Sequence, residues 1–430
     1  MLISSSQSSS QSYPPKSLRI AVSGCQHGSL EALYNSLASS SVDLLICCGD
    51  FQAVRNMQDL ECMSCPPRYR FMQSFFKYYS GEKSAPTPTI FVGGNHEATN
   101  YLKSLFYGGW VAPNVYFLGS SGVVNFGGLR IAGVSGIFKG YDFRTGYWEQ
   151  APFSEDALKS AHHQREFDFW RLQHLSGRIQ IDICMSHDWP EGIYNHGDKA
   201  GLLRRKKHFE EDIARSSLGS PPSMRLLESL RPRFWFAGHL HVKFAALVRH
   251  PGHEWDTRFL ALDKPLPGRD FIQILDIPIR PDIPGTGRNC FAYDPEWLAV
   301  VSVTNALTPP SKRTERFPAP AFPTTLEVSS VVQRLRQAGL IALDTTGREF
   351  FPIPFNFQPT AATYQSSGPS DSGAYVSTSM PESEGNPQTD AFLSLLGLDH
   401  IVTRPSHKQK QAEAESVNNS NFDSNEVDLE

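Results

Sequence analysis

The chain has 430 residues and 40% hydrophobic side chains, enough for a sizeable core in one large or two medium domains. Its 40 basic and 44 acidic residues leave a formal charge of −4. That balance excludes a surface that binds polyanions everywhere, so any nucleic-acid contact has to come from local patches.

Residues 1–16 are Ser/Gln-rich and lack the charged start and apolar centre of a signal peptide, so they are expected to be disordered. No run of about 18 apolar residues predicts a membrane span. Short β-rich runs follow at 18–22, 42–48, 89–92, 129–134, 181–185 and 234–236, each ending in glycine, histidine, aspartate or asparagine. Helical patterns lie between several of them, at 30–37 and 154–175. Buried strands alternating with helices predict an α/β domain over 17–250. Strand runs at 257–262 and 270–275 and a helix approached through 292–298 predict a second, smaller C-terminal domain over 251–310, reaching in part to about 400. Past Pro309 the composition turns to proline, serine and threonine, with an amphipathic stretch at 331–340 and an apolar patch at 391–398. The polar, charged stretch 401–430 is expected to be a disordered tail.

Seven cysteines without disulfide-framework spacing, several inside apolar runs such as Leu44-Leu45-Ile46-Cys47-Cys48, suit a reducing compartment, cytosol or nucleus. Cys47 and Cys48 are expected to be packing residues, and Cys62 and Cys65 incidental thiols, since no second Cys or His pair with zinc-module spacing follows them.

Five strand ends carry chemistry: Cys25-Gln26-His27, Gly49-Asp50, Gly94-Asn95-His96-Glu97, Ser186-His187-Asp188 and Gly238-His239-Leu240-His241. Loops after strands are where α/β folds place their sites, because the scaffold fixes them while the loop stays free to present polar groups. Hydrolysis of a phosphodiester by two metals needs a bridging carboxylate, further N/O ligands and open positions for water and substrate. Asp50 suits the bridge and the histidines suit the rest. A lone histidine is more often a packed or surface residue, but five blocks in this order are not a common accident.

This order of blocks resembles the calcineurin-like metallophosphoesterases, whose pattern is D-x-H, G-D, G-N-H-[DE], H and G-H-x-H. The resemblance implies an αββα sandwich. It also implies one metal site from Cys25, His27, Asp50 and His241 and a second from Asp50, Asn95, His187 and His239. Asn95 and His96 would be catalytic, with His96 pointing at the phosphate instead of ligating.

The first block departs from that pattern, with Cys25 where the superfamily has aspartate. A cysteine there marks the RNA lariat debranching enzymes, and the chain is similar to that family also at Ser186-His187-Asp188-Trp189-Pro190, 241–247, 259–264 and 293–299. The implied reaction is hydrolysis of the 2′,5′-phosphodiester at the branch point of excised intron lariats, in the nucleus. The implied partners are branched RNA and splicing-associated proteins reached through the C-terminal region, with a monomer favoured. Thiolate favours Zn²⁺ or Fe²⁺ and carboxylate suits Mn²⁺, so the expected cofactors are Fe²⁺, Zn²⁺ or Mn²⁺, one or two per chain.

Aromatics and cations interleave in 136–149, where Phe138, Lys139, Tyr141, Phe143, Arg144, Tyr147 and Trp148 are the expected RNA contacts. Residues 135–160 resemble the lariat-recognition loop of that family; without the resemblance, a buried aromatic face is equally good. The basic run Leu203-Arg204-Arg205-Lys206-Lys207-His208 suits a phosphate backbone, a nuclear address or a solvated helix face. Two alternatives stay open: another calcineurin-like nuclease or phosphatase sharing every ligand, and a non-catalytic RNA-binding scaffold on the same fold.

Overall fold

The computed structural model describes residues 17–406 except 179, 281–289, 367, 369–372 and 383–384. The N-terminal segment 1–16 and the tail beyond Ser406, both expected to be disordered, lie outside the described residues.

Strands are numbered in chain order. The first sheet comprises β1 (Ser17–Ser23), β2 (Leu44–Cys47), β3 (Thr89–Phe91), β4 (Gly109–Ala112), β5 (Val115–Phe117) and β12 (Ile272–Pro278), arranged β12-β1-β2-β3-β5-β4. Its centre β1-β2-β3-β5 is parallel, and β12 and β4 close the edges antiparallel. The second sheet comprises β6 (Ser121–Phe126), β7 (Leu129–Val134), β8 (Ile183–Ser186), β9 (Phe234–Ala237), β10 (Phe244–Val248), β11 (Thr257–Ala261), β13 (Phe291–Tyr293), β14 (Ala342–Leu343) and β15 (Glu349–Pro352). Its order is β10-β11-β9-β8-β7-β6-β13-β15-β14, with β7, β8, β9 and β11 parallel.

Side-chain alternation sets the layers. In β1 to β3, Ile20, Val22, Leu44, Ile46 and Ile90 join the core cluster that includes Ile131, Ile183 and Met185 of the second sheet. Their neighbours Ala21, Leu45, Cys47 and Phe91 face the other way, against Leu30, Leu33 and Leu37 of the helix Leu30–Leu37. Strands buried on both faces read as unbroken apolar runs, which is why these were legible. Helices Glu166–Gln173 and Pro221–Leu230 pack together and send Phe169, Leu172, Leu226 and Leu227 into the second sheet's core. Helices outside two stacked sheets make the expected αββα sandwich.

The helical pattern at 154–175 is two helices, Glu155–Ser160 and Glu166–Gln173. Between them Arg165 is extended, and its buried guanidinium donates to Glu149 Oε1 at 2.5 Å and Ser160 Oγ at 2.8 Å. The chain passes residue 250 inside one sheet, since β10 and β11 are antiparallel neighbours. Beyond it, β12 extends the first sheet and β13, β15 and β14 extend the second. Among the described residues no helix is long and apolar enough to cross a membrane.

Candidate metal centre

All five strand-end blocks converge at the end of the two sheets where β1, β2, β3, β8 and β9 terminate. The donor atoms of Cys25, His27, Asp50 and His241 lie within 4.8 Å of one another. His27 Nε2 is 3.1 Å from His241 Nε2 and 3.7 Å from Asp50 Oδ2. On the other side of the carboxylate, His187 Nε2 stands 3.4 Å from Asp50 Oδ1 and 3.2 Å from Asn95 Oδ1, and the His187 and His239 rings are 5.0 Å apart. Asp50 therefore lies between His27 and His241 on one side and His187 and Asn95 on the other.

The backbone is bent to achieve this. His27, Asp50, His239 and His241 all have positive φ, between 46° and 63°, a conformation that side chains with a Cβ disfavour. Such strain persists where the surroundings enforce it and clusters at functional sites. The left-handed turns at His239 and His241 let two histidines separated by one residue face different sides of Asp50. Glycines make room for the approach. A Cβ at Gly49, itself at φ +99°, would fall 2.3 Å from His187 Nδ1, and one at Gly94 would fall 2.2 Å from Asp50 Oδ1.

Each side chain is also oriented. His187 Nδ1 donates to the Cys48 carbonyl at 2.7 Å, leaving Nε2 as the free lone pair. The His96 amide donates to Asp50 Oδ1 at 2.8 Å, and the His239 amide donates to Cys25 Sγ at 3.0 Å. Glu97, to which the sequence alone assigns no role, is buried and accepts from the amides of Phe51, Gln52 and Gly94 at 2.8, 2.7 and 3.0 Å. It thus ties the Asp50 loop to the Asn95 loop. The acidic fourth position of G-N-H-[DE] was the signal for it.

Electrostatics suit a cation. Burial lowers the pKa of His27 and His187, and brings His239 down to about 4 and His241 to about 3, so their nitrogens are unprotonated at neutral pH. Burial works to raise the Asp50 carboxyl, but the imidazoles of His187, His27 and His96 with the His96 amide outweigh it and hold it below the usual carboxylate range. Burial and then the Asp50 charge push the Cys25 thiol well up. An ionised carboxylate, four neutral imidazoles and a thiol that a bound cation would deprotonate form a donor set that fits divalent metal.

His96 stands apart from the ligand sets, its ring 5.5 Å from that of His27, and lines an open cleft with His27 and His241. Beside the centre, the Phe138 amide donates to Asp188 Oδ2 at 3.0 Å, placing the 136–149 loop next to His187. Lys139, Tyr141 and Arg144 stand at the surface, Tyr141 74% exposed, while Phe138 and Phe143 are half-buried against each other at 5.5 Å. Tyr147 and Trp148 are not brought together with them. The Tyr147 hydroxyl donates to Asp168 Oδ2 at 2.7 Å and its ring packs on Phe106, and Trp148 lies under Lys312 Nζ at 3.7 Å.

Cys47 and Cys48 are fully buried in the two core clusters. Cys62 packs on Phe153 and Leu158, and among the described residues neither it nor Cys65 joins a ligand cluster. Arg204 and Arg205 of the basic run are exposed, Arg204 lying 3.9 Å from Asp198.

The family profile for calcineurin-like phosphoesterase matches residues 18–243, and that for the lariat debranching enzyme C-terminal domain matches 254–401. Lariat debranching enzyme A of Xenopus laevis is 43% identical over 95% of this chain and 75% of its own length. The lariat debranching enzymes of Homo sapiens and Arabidopsis thaliana are each 43% identical over 90% of this chain, covering 70% and 87% of theirs. The chain belongs to the lariat debranching enzymes, within the calcineurin-like phosphoesterases.

Proposed function

We propose that the chain hydrolyses the 2′,5′-phosphodiester at the branch point of excised intron lariats. The observation that carries this reading is Cys25 gathered with His27, Asp50 and His241, donors within 4.8 Å, in the place where the wider superfamily has a carboxylate.

Cys25, His27, Asp50 and His241 would hold one metal, and Asp50, Asn95, His187 and His239 would hold a second. Thiolate among the donors favours Fe²⁺ or Zn²⁺, with Mn²⁺ tolerated by the imidazole and carboxylate donors. When bound, the metals supply Lewis acidity that activates water and offsets charge on the phosphate. His96 faces the cleft, where its imidazole stabilises the developing charge or delivers a proton to the departing 2′ oxygen. The Asn95 side chain helps fix the phosphate. Lys139, Tyr141 and Arg144, with the half-buried Phe138 and Phe143 behind them, meet the unpaired RNA beside His187. Tyr147 and Trp148 support that loop from within. This activity belongs in the nucleus, with the C-terminal region left to splicing-associated proteins.

The test is turnover of a branched RNA against a linear 3′,5′ RNA and a phosphopeptide, alongside metal content of the purified protein. Preferential cleavage of the linear RNA or the peptide overturns the reading in favour of a sister phosphoesterase. A chain that neither holds nor takes up metal would instead be a scaffold.

A further inference from the structure

The cleft in front of the metal centre has a volume of about 500 Å³, within the range of sites that enclose a small ligand. Its far wall is residues 66–73, a stretch with no assigned role. Tyr69 is 60% exposed and Phe71 38% exposed there, facing a space shared with His27, His96 and His241. Two more left-handed residues mark this wall, Gln52 at φ +60° and Gln73 at φ +51°. With the four ligands described above, six of the nine non-glycine residues with positive φ among the described residues belong to the centre and its cleft.

The wall is joined to the metal centre on one side. Ser74 Oγ donates to the carbonyl of Gly28, next to His27, at 2.9 Å, and Gln52 Nε2 donates to the Phe71 carbonyl at 3.2 Å. On the other side it is held by a return of the chain from some 300 residues later. Phe71 and Ala374 form an antiparallel bridge, and the Met72 amide donates to the Gly373 carbonyl at 2.9 Å. Arg70 reaches back to the carbonyls of Cys65 and Met63 and to Glu61 Oε2 at 3.2 Å, with the Tyr375 ring 5.1 Å from its guanidinium carbon. Glu61 in turn accepts from the Thr378 amide at 2.7 Å and from Ser377 Oγ at 3.2 Å.

We propose that Tyr69 and Phe71 form a stacking subsite for an unpaired nucleobase adjoining the scissile phosphate, and that residues 373–378 hold it in place, with Tyr375 as the positioning residue. The proposal rests on the lariat reading above and names a substrate contact for it. Exposed rings beside a phosphate-handling centre have a physical use, because every base has a face to stack and desolvate. The covalent order of the chain explains why a distant segment is needed: the wall has only short helical turns of its own, at Met57–Glu61 and Pro67–Tyr69, and gains its rigidity from the returning strand-like contact.

The experiment uses the full chain and steady-state kinetics on a branched RNA, with a small aryl phosphodiester as reference substrate for the wild type. Tyr69→Ala combined with Phe71→Ala is expected to raise KM for the branched RNA about tenfold, with bound metal per chain retained. Tyr375→Ala is expected to raise KM more than it lowers kcat, and Tyr375→Phe, which keeps the ring over Arg70 but loses the hydroxyl's hydrogen bond to Glu61, to raise it less than alanine does. An unchanged KM in the double variant, in a wild type that debranches, overturns this inference alone. A wild type that splits the small diester and leaves the branched RNA intact overturns the functional reading and this inference with it.

Discussion

The backbone amide of His239 donates a hydrogen bond to Cys25 Sγ at 3.0 Å, so the last ligand block of the chain holds the first. Those residues are 214 positions apart in sequence. A sulfur that accepts from an amide and sits beside Asp50 is poised to ligate as thiolate once a cation offsets the burial that now keeps it protonated. Cys25→Asp restores the carboxylate of the wider superfamily and keeps an acceptor for the His239 amide. It is expected to move metal preference from Zn²⁺ and Fe²⁺ toward Mn²⁺ and Mg²⁺, by at least about tenfold in relative affinity. Reloading chelated protein with each metal and measuring binding and branched-RNA turnover checks this; an unaltered ranking would make Cys25 a bystander.

Gly94→Ala places a methyl group 2.2 Å from Asp50 Oδ1 and 2.4 Å from the Asp50 amide nitrogen, distances no carbon can occupy. One loop must retreat, and the carboxylate between the two donor sets moves with it. The expected outcome is a loss of about 1–3 kcal/mol of stability from overpacking, and a larger loss of bound metal. Elemental analysis together with urea unfolding separates the two effects. Full metal content with normal turnover would show that the loops yield at no cost.

His96 contributes to the centre in two separable ways. Its amide fixes Asp50, and its imidazole faces the cleft. Alanine keeps the amide and removes the ring, so His96→Ala is expected to leave bound metal unchanged while kcat falls roughly 10²- to 10⁴-fold. Metal loss in proportion to activity loss would instead make the imidazole a ligand.

These relationships show where sequence reading succeeds and where it stops. Every donor around Asp50 was legible because each follows a short apolar run, and strands buried on both faces announce themselves. The central strands and the helix Leu30–Leu37 were found for the same reason. The strands β4, β5 and β13 were not read, although β3 is equally short and was. Aromatic interleaving in 136–149 located a loop beside His187, but not which rings turn inward; Tyr147 points in because its hydroxyl finds the buried Asp168, a contact set by the tertiary fold. The wall at Tyr69 and Phe71 was invisible for a related reason. Nothing local marks it, and what fixes it arrives from residues 373–378.

The last prediction concerns stability, at another point where the C-terminal region meets the first. Arg55 and Asp59 form a two-pronged ion pair with both side chains buried, Nε to Oδ2 and Nη2 to Oδ1 at 2.8 Å each. Asn100 donates to the same carboxylate, the guanidinium lies 4.1 Å from the Tyr101 ring centre, and Arg55 Nη1 donates to Thr360 Oγ1 at 2.9 Å. Both side chains are buried, so removing one partner strands a buried charge. Asp59→Ala is expected to cost about 3–5 kcal/mol. Replacing both residues, Arg55→Met with Asp59→Leu, is expected to cost clearly less than the sum of the single changes, because no charge is left unpaired. Urea unfolding of the two single variants and the double variant measures the coupling directly. Additive losses would mean that the pair is solvated after all, and that Thr360 and its neighbours dock on shape alone.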